Sequence, residues 1–171
     1  MLRISCGGHT PLLKSGSYAA PNATAVGDLV AEEGVSLWYG AVVRADQCPI
    51  RIGRDTNIQD NCILHVDPQD PMTIGQRVTV GHGAILHSCT GEDDCLIGMG
   101  AILMNRCVIG AGSLVAAGAL VTEDTVVPPC SLVVGSPAKV RRSLTPEEQA
   151  AHPESARHYV LHAAEQLERM E

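Results

Sequence analysis

The sequence predicts an all-β solenoid, in the form of a parallel β-helix, followed by one C-terminal α-helix. The main observation is an aliphatic residue at every sixth position, a period that fits neither an α-helix nor an alternating β-strand. Hexapeptide repeats are typical of a parallel β-helix, and we expect three of them to close one triangular coil of about 18 residues. The longest run is Ile97, Leu103, Ile109, Val115, Val121, Val127 and Val133.

Two further observations favour the same fold. The chain contains no Phe, one Trp and three Tyr, although 45% of its residues are hydrophobic. A narrow prism accommodates Val, Ile and Leu more readily than rings, so this composition fits its interior. The alternative is an ordinary β-sandwich, but consecutive repeats at a period of six argue against alternating strands. Shorter runs of the same period are Ile52, Ile58 and Leu64, and then Ile74, Val80 and Leu86.

A single helix is predicted after the repeats. Thr145 and Glu148 have the spacing of a capping box, and Pro146 suits the first helical position. We expect Pro153 to interrupt or restart the helix. An apolar face at helical spacing should pack on the outside of the prism. Its members are Ala156, Val160, Ala163, Ala164 and Leu167.

Length and charge limit the classes of function. The 171 residues divide into a β-helix domain at 1–142 and a C-terminal helix packed on it at 143–171. The net charge of −7 gives no electrostatic support for nucleic-acid binding. No apolar run is long enough to predict a membrane span, and the N-terminus lacks the apolar stretch of a signal peptide. The seven cysteines form no CxxC pair, which predicts reduced thiols and a cytoplasmic protein.

Three of the seven histidines have informative positions on the repeat. His65 follows Leu64 and His87 follows Leu86, so the two histidines occupy the same position in their hexapeptides. They are 22 residues apart (87 − 65), one coil plus four, and a loop at 67–71 can hold the extra four. We therefore expect both imidazoles to stack on one face and to converge on one zinc ion. The histidines interpreted as ordinary surface residues are His9, His152, His158 and His162.

His82 completes the predicted metal site from another subunit. It lies two places after Val80, nearer a corner, and should not reach the same metal within one chain. Three prisms around a threefold axis would bring it to the pair and form a homotrimer. Three histidines with an open fourth position are typical of a catalytic zinc, whose bound water supplies hydroxide near neutral pH. Fe2+ or Co2+ would also suit these ligands in place of Zn2+.

Polar residues concentrate in the two coils before His65. Arg44 can form a bidentate pair with an aspartate and hold an interface together. Gln59 can orient a metal-bound water or a small substrate. Asparagine and aspartate also favour turns, so ordinary corner residues are the alternative interpretation of this group. Its members are Arg44, Asp46, Asn57, Gln59 and Asp60.

These motifs resemble the gamma-class carbonic anhydrase family, over roughly residues 20–167. The resemblance implies a left-handed parallel β-helix and a homotrimer with a metal at each subunit interface. It implies that His65 and His87 come from one subunit and His82 from its neighbour. The matching strings are Arg44-Ala-Asp46, Thr56-Asn-Ile-Gln-Asp60-Asn, Val80-Gly-His82, Ile85-Leu-His87 and Gly135-Ser-Pro-Ala-Lys139.

The resemblance also implies an activity and roles for the polar residues. The activity is the reversible hydration of CO2, a small-molecule substrate, to bicarbonate by metal-bound hydroxide. Arg44 would pair with Asp60 across the interface. Gln59 and Asn57 would line the pocket beside the metal-bound water, and Tyr159 would approach the site from the helix.

Two other classes of function stay open. Gln47 stands where the family's most active form has a proton-shuttling glutamate, so a catalytically weak, metal-bound trimer that binds an anion or serves in assembly is one alternative. Asp67 and Asp70 are the acidic residues that remain nearby as proton acceptors. The other alternative is a hexapeptide-repeat acyltransferase using CoA, in which one histidine acts as a base and three converging histidines have no explanation.

Overall fold

The computed structural model describes residues 1–169, and these form a parallel β-solenoid of about seven turns with one C-terminal helix. The all-β solenoid predicted from the hexapeptide repeat is therefore confirmed. The strands in chain order are β1 (Leu2–Ile4), β2 (Leu12–Leu13), β3 (Tyr18–Ala19), β4 (Thr24–Ala31), β5 (Ser36–Leu37), β6 (Val42–Ile52), β7 (Asn57–Ile58), β8 (Ile63–His65), β9 (Met72–Ile74), β10 (Thr79–Val80), β11 (Ile85–His87), β12 (Thr90–Gly91), β13 (Leu96–Ile97), β14 (Ile102–Leu103), β15 (Val108–Ile109), β16 (Leu114–Val115), β17 (Leu120–Val121), β18 (Val126–Val127), β19 (Ser131–Gly135) and β20 (Ala138–Ser143).

The strands form the three faces of a prism. The first face stacks β8, β11, β14 and β17 on the first half of β6, and the second stacks β9, β12, β15 and β18 on its second half. The long strands β4 and β6 run from one face to the other and join both into a single sheet. The third face is a separate sheet of β3, β5, β7, β10, β13, β16 and β19, with β20 antiparallel at its end.

The repeat period sets the register between coils. Ile97 pairs with Val115, one coil of 18 residues further on (115 − 97). Because side chains alternate along a strand, the aliphatic residue of each hexapeptide points into the prism. These inward positions are no more than 1% exposed, and they are Ile52, Ile58, Leu64, Ile74, Val80, Leu86, Ile97, Leu103, Ile109, Val115, Val121, Val127 and Val133.

The helix α1 (Pro146–Glu168) begins at the predicted cap. Glu148 N donates to Thr145 Oγ1 at 3.3 Å and Thr145 N donates to Glu148 Oε2 at 2.8 Å, which completes the capping box. The expectation that Pro153 interrupts the helix is wrong, because α1 continues through it. Burial of the neighbouring turn against the third face offsets the one backbone hydrogen bond that proline cannot donate.

The packed face of α1 differs in part from the predicted one. The helix lies against β3, β5, β7 and β10. Ala156 and Ala163 are buried as expected, but Ala164 is exposed. His152 is buried, with Nδ1 3.2 Å from the Asp94 carbonyl oxygen, so its interpretation as a surface residue is wrong. Residues 170 and 171 of the predicted segment 143–171 lie outside the described residues.

Within residues 1–169 we find no helical stretch with the length and hydropathy that a bilayer span requires. All seven cysteines carry free thiols.

We expect His152 to make the stability of the fold depend on pH. Burial lowers the pKa of His152, against the opposing effect of the hydrogen bond to Asp94. The unfolded chain, with an imidazole pKa of about 6.5, then binds the proton more readily, so this stability is present above that pH and is lost as the pH falls through the lower folded pKa. His152→Gln should therefore flatten the fall in Tm between about pH 7 and pH 5, measured by calorimetry. The exposed His158→Gln variant is the control, and identical slopes in all three proteins would contradict the prediction.

Candidate metal centre

His65 and His87 meet on the first face as the repeat predicted. His65 ends β8 and His87 ends β11, and the two residues are paired in register. The surplus residues between them form a turn closed by a bridge between Asp67 and Asp70. The ring centroids are 4.9 Å apart, and His65 Nδ1 lies 3.0 Å from His87 Nε2.

Asn105 determines which nitrogen of His87 carries the proton. Asn105 Nδ2 donates to Asp67 Oδ2 at 2.8 Å, and a carboxylate only accepts, so the orientation of the amide is defined. Asn105 Oδ1 then faces His87 Nδ1 at 3.0 Å. Because this oxygen also only accepts, His87 Nδ1 carries the proton and Nε2 keeps a free lone pair.

Asp46 determines which ring nitrogen of His65 carries the proton. Asp46 Oδ1 lies 3.3 Å from His65 Nε2, and Asp46 Oδ2 accepts from Arg44. Burial opposes ionisation of Asp46, but the hydrogen bond and charge of Arg44 lower the pKa of the carboxyl overall. Burial lowers the pKa of His65, and the charges of Arg44 and His87 act in the same direction. A neutral His65 that donates from Nε2 leaves its lone pair on Nδ1.

In these neutral tautomers, His65 Nδ1 and His87 Nε2 face each other with their lone pairs across 3.0 Å. A contact between two lone pairs is repulsive, and either a shared proton or a metal ion between the rings relieves it. Two zinc–nitrogen bonds of about 2.0–2.1 Å at a tetrahedral angle place the nitrogens roughly 3.3 Å apart. The donor pair thus fits two ligands of one zinc ion, and Asp46 and Asn105 supply the hydrogen bonds that usually orient ligating imidazoles.

His82 lies in the turn after the third-face strand β10 and is oriented by a carboxylate of its own. It follows β10, and its Nδ1 is 2.8 Å from Asp60 Oδ2. Asp60 also accepts from Tyr39 N at 3.2 Å. The carboxylate places the His82 proton on Nδ1, so Nε2 of this half-exposed ring is available as a ligand.

A chain of buried amides holds the loop of His82. Gln59 Oε1 accepts from His82 N at 3.1 Å, and Gln59 Nε2 donates to Asn57 Oδ1 at 3.1 Å. Asn57 Nδ2 donates to Thr79 Oγ1 at 3.0 Å, and Thr79 reaches Ser155 of α1 at 3.4 Å. Both amide side chains are buried, so they constrain the position of the loop.

Tyr159 borders the same region from the helix. It lines a groove of about 500 Å³ with Gln59 and His82. Its ring contacts the edge of Trp38 at a centroid distance of 5.5 Å. Burial raises the pKa of Tyr159, and the charge of Asp60 adds to the effect, so the phenol stays protonated at neutral pH.

The predicted site residues form two groups on two faces of the prism. Within the described part of the chain, no three metal-ligating side chains converge. Arg44 pairs with Asp46 in the single chain, so its pairing with Asp60 across an interface stays a prediction. The first-face group is Arg44, His65 and His87. The second group lies at the third face, in the turns after it and on the helix packed against it, and is Asn57, Gln59, Asp60, His82 and Tyr159.

Asn105 was missed in the sequence, although a signal was present. It lies in the next coil, 18 residues after His87 (105 − 87). An asparagine at a corner is usually a turn residue, and that interpretation conceals its contact with a histidine.

Comparisons with known proteins define the class first. The family described as bacterial transferase hexapeptide (six repeats) matches residues 92–123. The crystal structure of a hexapeptide transferase family protein from Anaplasma phagocytophilum superposes with a TM-score of 0.92 at 38% identity, covering 95% of this chain and 96% of the other. The chain is therefore a hexapeptide-repeat β-solenoid protein.

The curated relatives define the family within that class. The carbonic anhydrase of Geobacillus kaustophilus is 42% identical, with 90% of this chain and 84% of that protein covered. Gamma carbonic anhydrase 2, mitochondrial, of Arabidopsis thaliana is also 42% identical, with 91% of this chain covered. The chain belongs to the gamma carbonic anhydrase family. It spans 60% of the length of that plant relative.

Removal of the Asn105 amide should weaken metal binding without unfolding the prism. Asn105→Ala releases the proton on His87 Nδ1 from its acceptor, and loss of such a partner typically costs about 10–100-fold in metal affinity. Zinc affinity measured by competition with a chelator tests this. Asn22→Ala is the matched control, because Asn22 Oδ1 accepts from Gly40 N at an exposed corner. Equal zinc affinity in both variants would show that Asn105 does not orient the ligand.

Proposed function

We propose that this chain is a zinc-dependent carbonic anhydrase that reversibly hydrates CO2 at sites shared between the subunits of a homotrimer. The observation that carries the proposal is the pair of facing ring nitrogens, His65 Nδ1 and His87 Nε2, 3.0 Å apart. When bound, zinc supplies a Lewis acid that lowers the pKa of water to about 7. Fe2+ or Co2+ would serve the same ligands.

Apolar surfaces beside each half of the site support the shared arrangement. Ile63, Ile85 and Ile102 stack in register on the first face and are 44%, 37% and 37% exposed. Ile63 and Ile85 each lie two positions before a histidine of the pair, on the same side of their strands. The groove beside His82 is lined by apolar residues that include Leu114 and the exposed Met99.

Packing of this isoleucine column into the groove of the next subunit would unite the two halves. Such a head-to-tail contact closes into a ring with threefold symmetry. His82 would then complete the ligand set of its neighbour, and Arg44 would reach Asp60. Removal of apolar surface from water on both sides would stabilise this arrangement.

The remaining residues orient groups rather than react. Asp60 keeps the proton of His82 on Nδ1. Gln59 and Asn57 hold the His82 loop and border the pocket, and the phenol of Tyr159 is a hydrogen-bond donor at its edge.

A proton acceptor is needed beside the site, and Gln47 cannot fill that role. Asp70 is engaged by Arg106 at 3.0 Å. Asp67 Oδ2 accepts from Asn105, a neutral amide, but Asp67 Oδ1 lies 3.9 Å from His87 Nε2 and the carboxylate is half-exposed, so Asp67 is the better placed of the two predicted acceptors.

Two alternatives differ in what they leave unexplained. An acyltransferase needs one histidine as a base, and the opposed nitrogens of His65 and His87 then have no purpose. A metal-bound trimer with weak catalysis is supported by Gln47 and differs from the first proposal only in turnover.

The seven free thiols support a cytoplasmic location.

Purified, zinc-loaded protein should accelerate CO2 hydration in a stopped-flow assay with a pH indicator. His87→Ala should abolish turnover and lose zinc, because it removes one of three ligands. The exposed His9→Ala variant is the control and should retain both. Full zinc content without turnover would contradict the proposed activity and favour the anion-binding or assembly role.

Mixing two inactive variants should restore part of the site. In a cyclic trimer that contains both His87→Ala and His82→Ala chains, one interface combines an intact histidine pair with an intact His82. When equal amounts of the two variants are unfolded together and refolded, random assembly should recover about a quarter of the zinc content and activity of the wild-type protein.

The matched control is a mixture of His87→Ala with His65→Ala. Both variants break the pair on the same face, so no interface is complete. Equal recovery of zinc and activity in the two mixtures, or no recovery in the first mixture, would rule out a metal site shared between subunits.

A further inference from the structure

The exposed side of α1 carries two histidines that the proposed reaction does not use. His158 and His162 are one helical turn apart, and both side chains are exposed. Their ring centroids are 4.3 Å apart, with an angle of 46° between the ring planes. Residues four apart on a helix are neighbours on its surface, so the two imidazoles can approach one ion together.

The helix that carries the pair is held against the prism on both sides of it. Ala156 precedes the pair and Ala163 follows it, and both are buried. Tyr159 packs on Trp38 between the two histidines. Because the backbone is already ordered, binding at the pair restricts little more than the two rings, which lowers its entropic cost.

We propose that His158 and His162 form a second metal site, a solvent-exposed chelate for a divalent transition metal. Imidazole ligands suit Ni2+, Cu2+ and Zn2+, and affinities at such sites rise toward Cu2+. Water completes the coordination, since no third protein ligand joins the pair within residues 1–169.

The surrounding charge favours a cation. Glu154 and Glu165 are exposed on the same helix, one turn before His158 and one turn after His162. Glu154 pairs with Arg157 at 3.2 Å. The chain as a whole carries a net charge of −7.

This site differs from the centre at His65 and His87 in composition. Both of its ligands come from one chain, so it requires no subunit contact. Two exposed imidazoles should hold a metal more weakly than three, and the bound ion should exchange readily. Metal content measured in excess metal would then exceed one ion per chain.

The first test is a calorimetric titration of the untagged, zinc-loaded protein with Ni2+. We expect one Ni2+ per chain at the helix, with affinity at least about tenfold lower in His162→Ala because the chelate is lost. The same titration of the His65→Ala/His87→Ala variant should show the same site. This titration therefore tests the helix site independently of the proposed carbonic anhydrase centre.

A relocated histidine provides the matched control. His158→Ala/Ala164→His keeps two exposed histidines on α1, but residues two apart do not face each other. This variant should bind Ni2+ as weakly as His162→Ala. If either variant bound Ni2+ as tightly as the unsubstituted protein, the proposed chelate would be wrong, because single surface histidines would then account for binding.

Trp38 offers a second readout near the pair. It is the one tryptophan of the chain, and its ring is 5.5 Å from that of Tyr159. In the His65→Ala/His87→Ala background, Cu2+ should quench its fluorescence in a saturable manner, and His162→Ala should remove this effect at the same Cu2+ concentration. Unchanged quenching in His162→Ala would contradict Cu2+ binding at the pair.

Discussion

Parallel hydrogen bonding between stacked coils is the constraint on which the molecule depends. It pairs each residue with its counterpart one coil away, and it builds columns of side chains up each face. The column of Arg44, His65 and His87 results directly from that register. A change of one residue in register would turn these side chains to the other side of the strand and destroy both the core and the site.

The site combines two kinds of stress that a folded chain normally avoids. Polar side chains are buried at Asn57 and Gln59, and they are tolerated because each amide finds partners within the prism. The opposed ring nitrogens of His65 and His87 are a second stress in their neutral tautomers, because two lone pairs then lie 3.0 Å apart. Carboxylate and amide groups behind the rings hold this arrangement, as they do around metal ligands.

Division of the polar residues between two faces links the proposed chemistry to assembly. Within residues 1–169, the His65–His87 pair and His82 do not converge on one point. Metal affinity and subunit association would then share one free energy, so each would strengthen the other. The histidine pair on α1 has no such dependence, since a single helical turn brings both ligands together.

The sequence by itself determined the solenoid and the stacking of His65 on His87, because a six-residue period assigns every position to the inside, a face or a corner. It also determined the helix start at Thr145, since capping is local. Tertiary structure alone decided the rest. Asn105 and Asp46 orient the two rings, His152 is buried, and α1 continues through Pro153. Each of these depends on contacts between coils or between helix and prism, and a local pattern of residue types does not specify which distant side chains will meet.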